Sequence, residues 1–227
     1  MPTALDSVFV VIPALNEGSV VGEVIEQVRR VCPNVVLVND GSTDDTPLRA
    51  RLAGAKVVSH AINLGQGAAL QTGITYALRL GASHIVTFDA DDQHDPREIA
   101  SLIDSLSSGA DVALGSRFKG ATIGIPFKRR LLLQAACWVN YALTGLHLSD
   151  AHNGLRAFTR QAAQQLRLRQ PGMAHATEIV EQVARQKLRY VEVPVTIRYT
   201  AYSLAKGQKL GNSVHILIDL LLKGLLR

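Results

Sequence analysis

Short β-branched runs alternate with helical apolar patterns along most of the chain, and this alternation constrains the fold more than any other feature of the sequence. Runs of this kind predict buried strands. They cover residues 8–12, 35–38, 56–59, 84–88, 112–115 and 190–195. The segments between them place apolar residues at helical spacing. Strand, helix and strand in succession predict an α/β fold with a mostly parallel sheet and helices on both faces.

The composition suits one domain with its own core, because 47% of the 227 residues are hydrophobic. Cys32 and Cys137 lie far apart in apolar surroundings, so we expect neither a disulfide framework nor a cysteine-ligated metal. Residues 1–7 lack the pattern of a signal peptide, and no apolar run reaches the roughly 18 residues of a spanning helix. We therefore expect a cytoplasmic protein, free or peripheral at the inner face of a membrane.

The formal net charge of +5 is modest, and the basic residues concentrate at residues 128–130 and in the last third of the chain. The run at 128–130 directly precedes three leucines, which suits a phosphate headgroup above an apolar tail. No basic stripe with interleaved aromatic residues is present, so we expect no nucleic-acid partner.

Residues 89–95 place four aspartates within seven positions, directly after a predicted strand. Such crowding is costly unless a cation offsets it, although a solvated acidic loop is an open alternative. A calcium-binding loop is excluded, because His94 occupies the position that requires glycine and Ala100 the position that requires glutamate. Oxygen ligands that leave room for substrate phosphates favour Mg²⁺ or Mn²⁺.

Three further loops carry polar or glycine-rich patterns, namely PALNE at residues 13–17, NDGSTDDT at 39–46 and NLGQG at 63–67. In the second loop, the Asp40 carboxylate can accept a hydrogen bond from a nucleobase ring N–H. In the third, small residues before a helix let a ligand approach the backbone. Each pattern alone is common in ordinary turns. Together with the acidic loop, in this order and spacing, they indicate a ligand site at the carboxyl ends of the strands.

With these motifs the chain resembles the family-2 glycosyltransferases, and within them the polyprenyl-phosphate, dolichyl-phosphate-mannose-synthase-like branch. The resemblance extends from about residue 8 to residue 222 and depends on PALNE, VNDGSTDDT, NLGQG, DADDQHDP, GSR and DAHNGLRAF. It implies a GT-A (Rossmann-like) fold. It also implies an inverting transfer of a hexose from a UDP- or GDP-sugar to a polyprenyl phosphate at the cytoplasmic membrane face.

The resemblance further implies roles for individual residues. The donor nucleotide-sugar would be bound by Pro13, Leu15, Glu17, Val38, Asp40, Asp89, Ala90, Asp91 and Lys206. Asp91 and Gln93 would hold Mg²⁺ or Mn²⁺, which makes Asp91 a catalytic residue. Arg117 would meet phosphate during catalysis, with Arg130 as its partner toward the acceptor.

The tail of the chain departs from the family pattern. The usual Gly-x-Ser-Lys motif is Ser203-Leu204-Ala205-Lys206 in this sequence, which keeps the lysine. An arginine that is common six residues earlier is Thr200 in this chain, and Arg198 is a candidate substitute.

The chemistry of such a transfer agrees with these roles. A departing nucleoside diphosphate gains negative charge, so a metal ion with arginine or lysine stabilises the transition state. A phosphate acceptor is already anionic and needs positioning, by Arg117 and Arg130, more than deprotonation. A glycan hydroxyl acceptor, the alternative, would need a general base, for which Asp150 is the candidate. An N-cap or turn role for Asp150 stays open.

Two other classes of protein agree less well with this sequence. A non-catalytic nucleotide-sugar-binding subunit is an alternative, and the presence of Asp91, Gln93 and Arg117 argues against it. Sugar-1-phosphate nucleotidyltransferases share the strand and helix pattern, but they require a phosphate loop rich in glycine and arginine after the first strand. The PALNE loop does not have that composition.

The last segment, residues 211–227, has polar residues at every fourth position from His215 to Arg227 and apolar residues in most other places. We therefore divide the chain into a catalytic domain, residues 1–210, and an amphipathic helix over 211–227. This helix is expected to lie on a membrane surface or to dock on a small membrane-spanning partner. Burial against the catalytic domain is the alternative.

Overall fold

The structure, a computed structural model, describes residues 5–170, 172 and 174–206. In this part of the chain, the strands are β1 (Val8–Ala14), β2 (Asn34–Asn39), β3 (Lys56–Ser59), β4 (His84–Thr87), β5 (Val112–Ile123), β6 (Arg156–Thr159) and β7 (Tyr190–Arg198). They form one sheet in the order β3-β2-β1-β4-β6-β5-β7. All six predicted strands are present, and the predicted α/β fold with a mostly parallel sheet is confirmed.

Helices cover both faces of this sheet, as predicted. They are α1 (Val21–Arg29), α2 (Thr46–Leu52), α3 (Gln66–Arg79), α4 (Glu98–Ser107), α5 (Phe127–Thr144), α6 (Arg160–Gln165), α7 (His175–Arg185) and α8 (Ala201–Lys206). One buried cluster joins the sheet to α1, α2 and α4. A second cluster on the opposite face joins it to α3, α6 and α7, with Cys137 of α5 at its margin.

The direction of the strands places their carboxyl ends at one edge. β1 pairs in parallel with β2 and β4, and β2 pairs in parallel with β3. β6 runs antiparallel between β4 and β5. The sequence did not predict β6, because its four residues begin with Arg156 and contain no β-branched run. Arg156 is the partner of Thr87 at the end of β4, so it lies at the edge where the predicted ligand site should be.

β5 continues to Ile123, well beyond its predicted end at residue 115. Its pairing with β7 shifts register between Ser116 and Ala121. The strand is buried through Arg117 and mostly exposed afterwards. The buried part of β5 therefore delivers the GSR motif to the same edge of the sheet.

Gly73 allows α3 to lie directly on β1 and β2. A Cβ atom at this position would be 2.3 Å from Cγ1 of Val11 and 3.1 Å from Cγ2 of Val38. Only a glycine permits so close an approach of helix and sheet. The start of α3, directly after the NLGQG loop, is thereby fixed near the carboxyl ends of these strands.

In the sequence, Asp95 followed by Pro96 is typical of an N-cap and a first-turn proline. α4 instead starts at Glu98, and Asp95 is not its N-cap. The Asp95 carboxylate instead accepts a hydrogen bond from the backbone N of Arg97 at 3.0 Å. The inward face of α4 is formed by its apolar residues at helical spacing, since Ile99, Leu102, Ile103 and Leu106 are all buried.

The predicted amphipathic helix over residues 211–227 lies outside the described residues. Among the helices of the described part, none combines the length and the apolar character needed to cross a bilayer.

Candidate active site

The loops after β1 and β2 are braced against each other at the carboxyl edge of the sheet. The backbone N of Asn16 donates to Ser42 Oγ at 3.0 Å, and the backbone N of Thr43 donates to Asn16 Oδ1 at 2.8 Å. The backbone N of Glu17 donates to Thr46 Oγ1 at 2.8 Å. Asn16 has a φ of 54°, a left-handed conformation that asparagine adopts more readily than most residues. The PALNE loop is therefore held in one shape by the loop beside it.

α8 brings Lys206 back to this first loop. Lys206 Nζ lies 2.9 Å from Glu17 Oε1 and 3.1 Å from the carbonyl O of Leu15, and it also contacts the carbonyl O of Asn16. The Tyr202 hydroxyl donates to Glu17 Oε2 at 2.7 Å. Leu15, Glu17 and Lys206 were all predicted to bind the donor. The structure brings them together, although the tail departs from the family motif.

Asp40 anchors the NLGQG loop. Its carboxylate accepts hydrogen bonds from the backbone N of Leu64 at 2.9 Å and of Gly65 at 2.7 Å. A third contact, of 2.7 Å, joins its Oδ1 to His60 Nδ1. Asp40 is only 3% exposed. It thus holds two of the predicted loops together, and its contact with a nucleobase stays a prediction.

Pro13 and Val38, also predicted to bind the donor, are Cα partners on β1 and β2. Both residues are buried, and the Val38 side chain packs against α3. They therefore lie side by side in the sheet, close to the points where β1 and β2 lead into the two loops.

The acidic loop after β4 is organised around Asp89. Its Oδ2 lies 3.1 Å from His94 Nε2, and its Oδ1 accepts a hydrogen bond from Gln66 Nε2 at 3.1 Å. Gly154 packs directly on the carboxylate, because a Cβ atom there would lie 2.0 Å from Oδ2. Burial by itself raises the pKa of Asp89. The hydrogen bond and charge of His94, with other nearby basic groups, outweigh burial and lower the pKa below its ordinary value.

The crowding of carboxylates changes the pKa of Asp91. Burial and the neighbouring charge of Asp89 raise the pKa of Asp91 to about 6. Its carboxylate accepts a hydrogen bond of 3.3 Å from the backbone N of Gln93. Ala90, between the two aspartates, is buried. The end of β4 therefore concentrates negative charge that the surrounding protein offsets only in part.

A divalent cation fits this arrangement. Carboxylate and amide oxygens such as those of Asp91 and Gln93 are ligands that Mg²⁺ and Mn²⁺ accept, and a cation there would relieve the repulsion between Asp89 and Asp91. Within residues 5–170, 172 and 174–206, no group of three or more His, Cys, Asp or Glu side chains converges as a metal site. A cation shared with a diphosphate needs only one or two carboxylates from the protein.

Arg117 and Asp150 form a buried ion pair. Arg117 Nε donates to Asp150 Oδ2 at 2.6 Å, and the Arg117 backbone N donates to the same oxygen at 3.0 Å. Their side chains are 7% and 1% exposed. Burial lowers the pKa of Arg117, but the Asp150 carboxylate and Tyr199 outweigh it and raise the pKa above its ordinary value. The two residues were predicted separately as catalytic, and the structure shows that they are partners.

Arg156 secures the turn that carries Asp150, a role the sequence did not reveal. Its Nε donates to the carbonyl O of Asn153 at 2.8 Å and its Nη2 to that of Ala151 at 2.9 Å. Burial lowers the pKa of Arg156 to about 10. The only sequence signal was an arginine between apolar residues within DAHNGLRAF.

Glu192 secures the other side of this turn and was also missed. Its Oε1 accepts hydrogen bonds from the Ser149 backbone N and Oγ, both at 2.7 Å, and from the Asp150 backbone N at 3.3 Å. Its Oε2 lies 3.0 Å from Lys119 Nζ. Nothing in the alternation of β7 indicated that a glutamate there would be buried.

Arg130, the predicted partner of Arg117, is exposed on the first turn of α5. Its contact with an acceptor phosphate stays a prediction.

Strand order, loops and buried charges of this kind define a GT-A protein. Glucosyl-3-phosphoglycerate synthase from Mycobacterium tuberculosis, solved in complex with Mn²⁺, UDP and glucosyl-3-phosphoglycerate, matches 96% of this chain and 80% of its own chain. The TM-score is 0.75 and the sequence identity is 22%. This likeness confirms the GT-A fold.

Comparison of sequences defines the family. Residues 9–167 match the family model described as Glycosyl transferase family 2. The UDP-N-acetylglucosamine–dolichyl-phosphate N-acetylglucosaminyltransferase of Methanococcus voltae is 30% identical, with 88% of this chain and 89% of the relative covered. The polyprenol monophosphomannose synthase of Mycolicibacterium smegmatis is 31% identical, with 90% and 82% covered. The chain belongs to glycosyl transferase family 2, and the predicted family and branch are confirmed.

His152, next to the ion pair, predicts how the stability of the protein depends on pH. Burial, followed by the charge of Arg156, lowers the pKa of His152 to about 4, whereas an unfolded histidine titrates near 6.5. Between these values the unfolded chain binds more protons, so stability is lost as pH falls from about 6.5 to 4. The loss is about 3 kcal/mol in that window. Urea unfolding at several pH values should show it.

His152→Gln is the matched comparison, because it keeps a polar side chain that does not titrate. Its free energy of unfolding should fall less steeply over the same pH window. Equal slopes for the two proteins would show that other groups cause the acid sensitivity.

Proposed function

We propose that this protein is an inverting, metal-dependent glycosyltransferase that moves a hexose from a UDP- or GDP-sugar to a polyprenyl phosphate at the cytoplasmic face of a membrane. The observation that carries the proposal is the concentration of negative charge on Asp89 and Asp91 at the end of β4, with the buried Arg117 of β5 at the same edge of the sheet. Such a site suits a cation and a diphosphate on one side and an anionic acceptor on the other. The names of the two relatives, which concern dolichyl phosphate and polyprenol, support this choice of acceptor.

On the donor side, the chain's residues bind and orient the nucleotide-sugar. The nucleoside would lie between the PALNE loop, where Lys206 pairs with Glu17, and the NLGQG loop, which Asp40 anchors. Asp91 and Gln93 would hold Mg²⁺ or Mn²⁺ against the diphosphate. Such a cation would supply positive charge where the departing nucleoside diphosphate becomes more negative.

On the acceptor side, the geometry of Asp150 favours a phosphate over a glycan hydroxyl. A general base must reach the hydroxyl that it deprotonates. Asp150 is 3% exposed, and it accepts hydrogen bonds from Arg117 and from Asn153 Nδ2, the latter at 3.3 Å. We therefore assign Asp150 to holding Arg117 in place. An acceptor that is already anionic needs no base, which agrees with this assignment.

The exposed face of α5 supports contact with a membrane surface. Phe127, Leu131 and Trp138 are 73%, 50% and 72% exposed. Lys128 and Arg130 are exposed on the first turn of the same helix. Apolar and aromatic side chains beside lysine and arginine are typical of helices that lie at an anionic lipid interface. The predicted contribution of residues 211–227 to membrane or partner binding stays a prediction.

The proposed reaction can be tested with a panel of UDP- and GDP-sugars, Mg²⁺ or Mn²⁺, and a short polyprenyl phosphate. We expect release of a nucleoside diphosphate together with formation of the glycosyl lipid. Asp91→Asn should lower kcat about 100-fold or more, because it removes the charged ligand of the cation. Asp104→Asn, an exposed aspartate on α4, is the matched control and should retain full activity.

Two results would contradict this proposal. Full activity of Asp91→Asn in the presence of a chelator would exclude the metal role. Turnover with glycan acceptors and none with polyprenyl phosphate would favour the hydroxyl-acceptor alternative, and binding of donor without any turnover would favour a binding subunit.

Arg130 provides a separate test of the acceptor side. If it binds the acceptor phosphate, Arg130→Ala loses a charge-assisted hydrogen bond, and kcat/KM for the polyprenyl phosphate should fall roughly 10- to 200-fold. The KM of the donor should not change. Arg79→Ala removes an exposed arginine from the far end of α3 and is the charge-matched control. If Arg130→Ala leaves kcat/KM for the polyprenyl phosphate unchanged, residues 128–130 form a solvated or membrane-facing patch and do not bind the acceptor.

Membrane contact through α5 can be measured by sedimentation with vesicles that contain anionic lipid. Trp138→Ser should weaken binding about 10-fold, because a largely exposed indole would no longer enter the interface. Leu52→Ser alters a residue that is 79% exposed on α2, against the opposite face of the sheet, and should have no effect. Equal losses for both variants would argue against α5, and binding only to vesicles that carry a membrane-spanning protein would favour a partner.

A further inference from the structure

Tyr199 is a buried tyrosine that neither the motifs nor the reaction accounts for. It follows β7 directly, is 8% exposed, and its backbone N donates to the carbonyl O of Ile123 at 2.9 Å. Its hydroxyl accepts a hydrogen bond from Arg117 Nη1 at 2.6 Å. Tyr199 is therefore held by the sheet through its backbone and bound to the buried guanidinium through its hydroxyl.

The hydroxyl completes a set of three partners around Arg117. Asp150 Oδ2 accepts from Nε at 2.6 Å, and the carbonyl O of His152 accepts from Nη2 at 3.2 Å. An arginine has five N–H donors. Three separate acceptors fix the plane of the guanidinium, and one donor on each terminal nitrogen is left for a further anionic ligand. Within the described part of the chain, the Tyr199 hydroxyl is the acceptor that contacts Nη1, and its loss would leave that nitrogen without it.

The ring of Tyr199 makes a second contact, with α5. The Arg129 guanidinium carbon lies 5.1 Å from the ring centroid, within the range of a cation–π interaction. Arg129 is partly buried, whereas Lys128 and Arg130 on either side of it are exposed. One tyrosine therefore touches both the buried Arg117 and the first turn of the helix whose apolar face is exposed.

We propose that Tyr199 is a positioning residue for the acceptor phosphate. Its hydroxyl orients Arg117, and Arg129, stacked on its ring, couples the placement of α5 to Arg117. This inference rests on the proposed function, in which Arg117 meets the phosphate of the acceptor. A contact of α5 with the lipid would then be transmitted to the reacting phosphate through one aromatic side chain.

Tyr199→Phe tests the first link, because it removes the hydroxyl and keeps the ring that Arg129 covers. We expect kcat/KM for a polyprenyl phosphate to fall about 10-fold or more. The KM of the nucleotide-sugar should be unchanged. Tyr202→Phe is the reciprocal variant, since its hydroxyl binds Glu17 in the donor loop. It should raise the KM of the donor and leave the KM of the acceptor unchanged, a split that a general loss of stability would not produce.

The second link is tested by Arg129→Gln and Lys128→Gln, which remove the same charge from adjacent positions. Only Arg129 stacks on Tyr199. Arg129→Gln should therefore lower kcat/KM for the acceptor several-fold more than Lys128→Gln does. Equal effects would mean that the charge acts on the membrane alone, and the coupling to α5 would be wrong.

A measurement that needs no turnover separates this inference from the proposed function. In protein labelled with ¹⁵N-arginine, the Arg117 side-chain signals are assigned by their loss in Arg117→Lys. Restricted rotation should give resolved Nη signals in the unaltered protein and averaged signals in Tyr199→Phe. If the unaltered protein transfers no sugar to polyprenyl phosphate, the proposed function is wrong. If it does, and Tyr199→Phe changes neither the acceptor constants nor these signals, the positioning role is wrong.

Discussion

The buried ion pair between Arg117 and Asp150 is the interaction on which the proposed acceptor side of this site depends. A charge so far from water is tolerated only when it has a partner and when its other donors are satisfied. Glu192 and Arg156 hold the turn that carries Asp150, and Tyr199, directly after β7, binds the guanidinium. Loss of one member of such a pair costs about 3 to 5 kcal/mol, because the other charge is left uncompensated. The GSR and DAHNG motifs are two halves of one buried structure.

The charge on the proposed donor side is arranged in the opposite way. At the end of β4, basic neighbours lower the pKa of Asp89. The pKa of Asp91 is raised, because burial and the charge of Asp89 both oppose its ionisation. The fold thus tolerates an ionised Asp91 poorly by itself and much better with a cation beside it. At β5 the charges at this edge of the sheet are paired within the protein. At β4 the negative charge is offset only in part, and that part of the edge would suit a metal and a diphosphate.

The parts of this architecture that the sequence predicted are those that local pattern determines. β-branched runs indicate strands, and polar loops that follow parallel strands must meet at one edge, so the positions of Asp40, Asp89 and Asp91 were predictable. β6 was not, because it contains no β-branched run and is defined by its pairing with strands from distant parts of the chain. The same holds for Glu192 and Tyr199, whose roles arise from contacts with residues far away in the sequence.

Asp40 shows why a correct motif does not determine which partner a side chain takes. The sequence suggested a nucleobase, and the structure directs the carboxylate to two backbone N–H groups of the NLGQG loop and to His60. An ionised carboxylate has about four acceptor sites, and three contacts leave one of them. The Asp40 carboxylate therefore has enough acceptor sites to anchor the loop and to bind a base at the same time. A base bound there would meet a carboxylate whose direction is already fixed by Leu64 and Gly65, so the shape of the NLGQG loop sets the position from which Asp40 can accept a hydrogen bond.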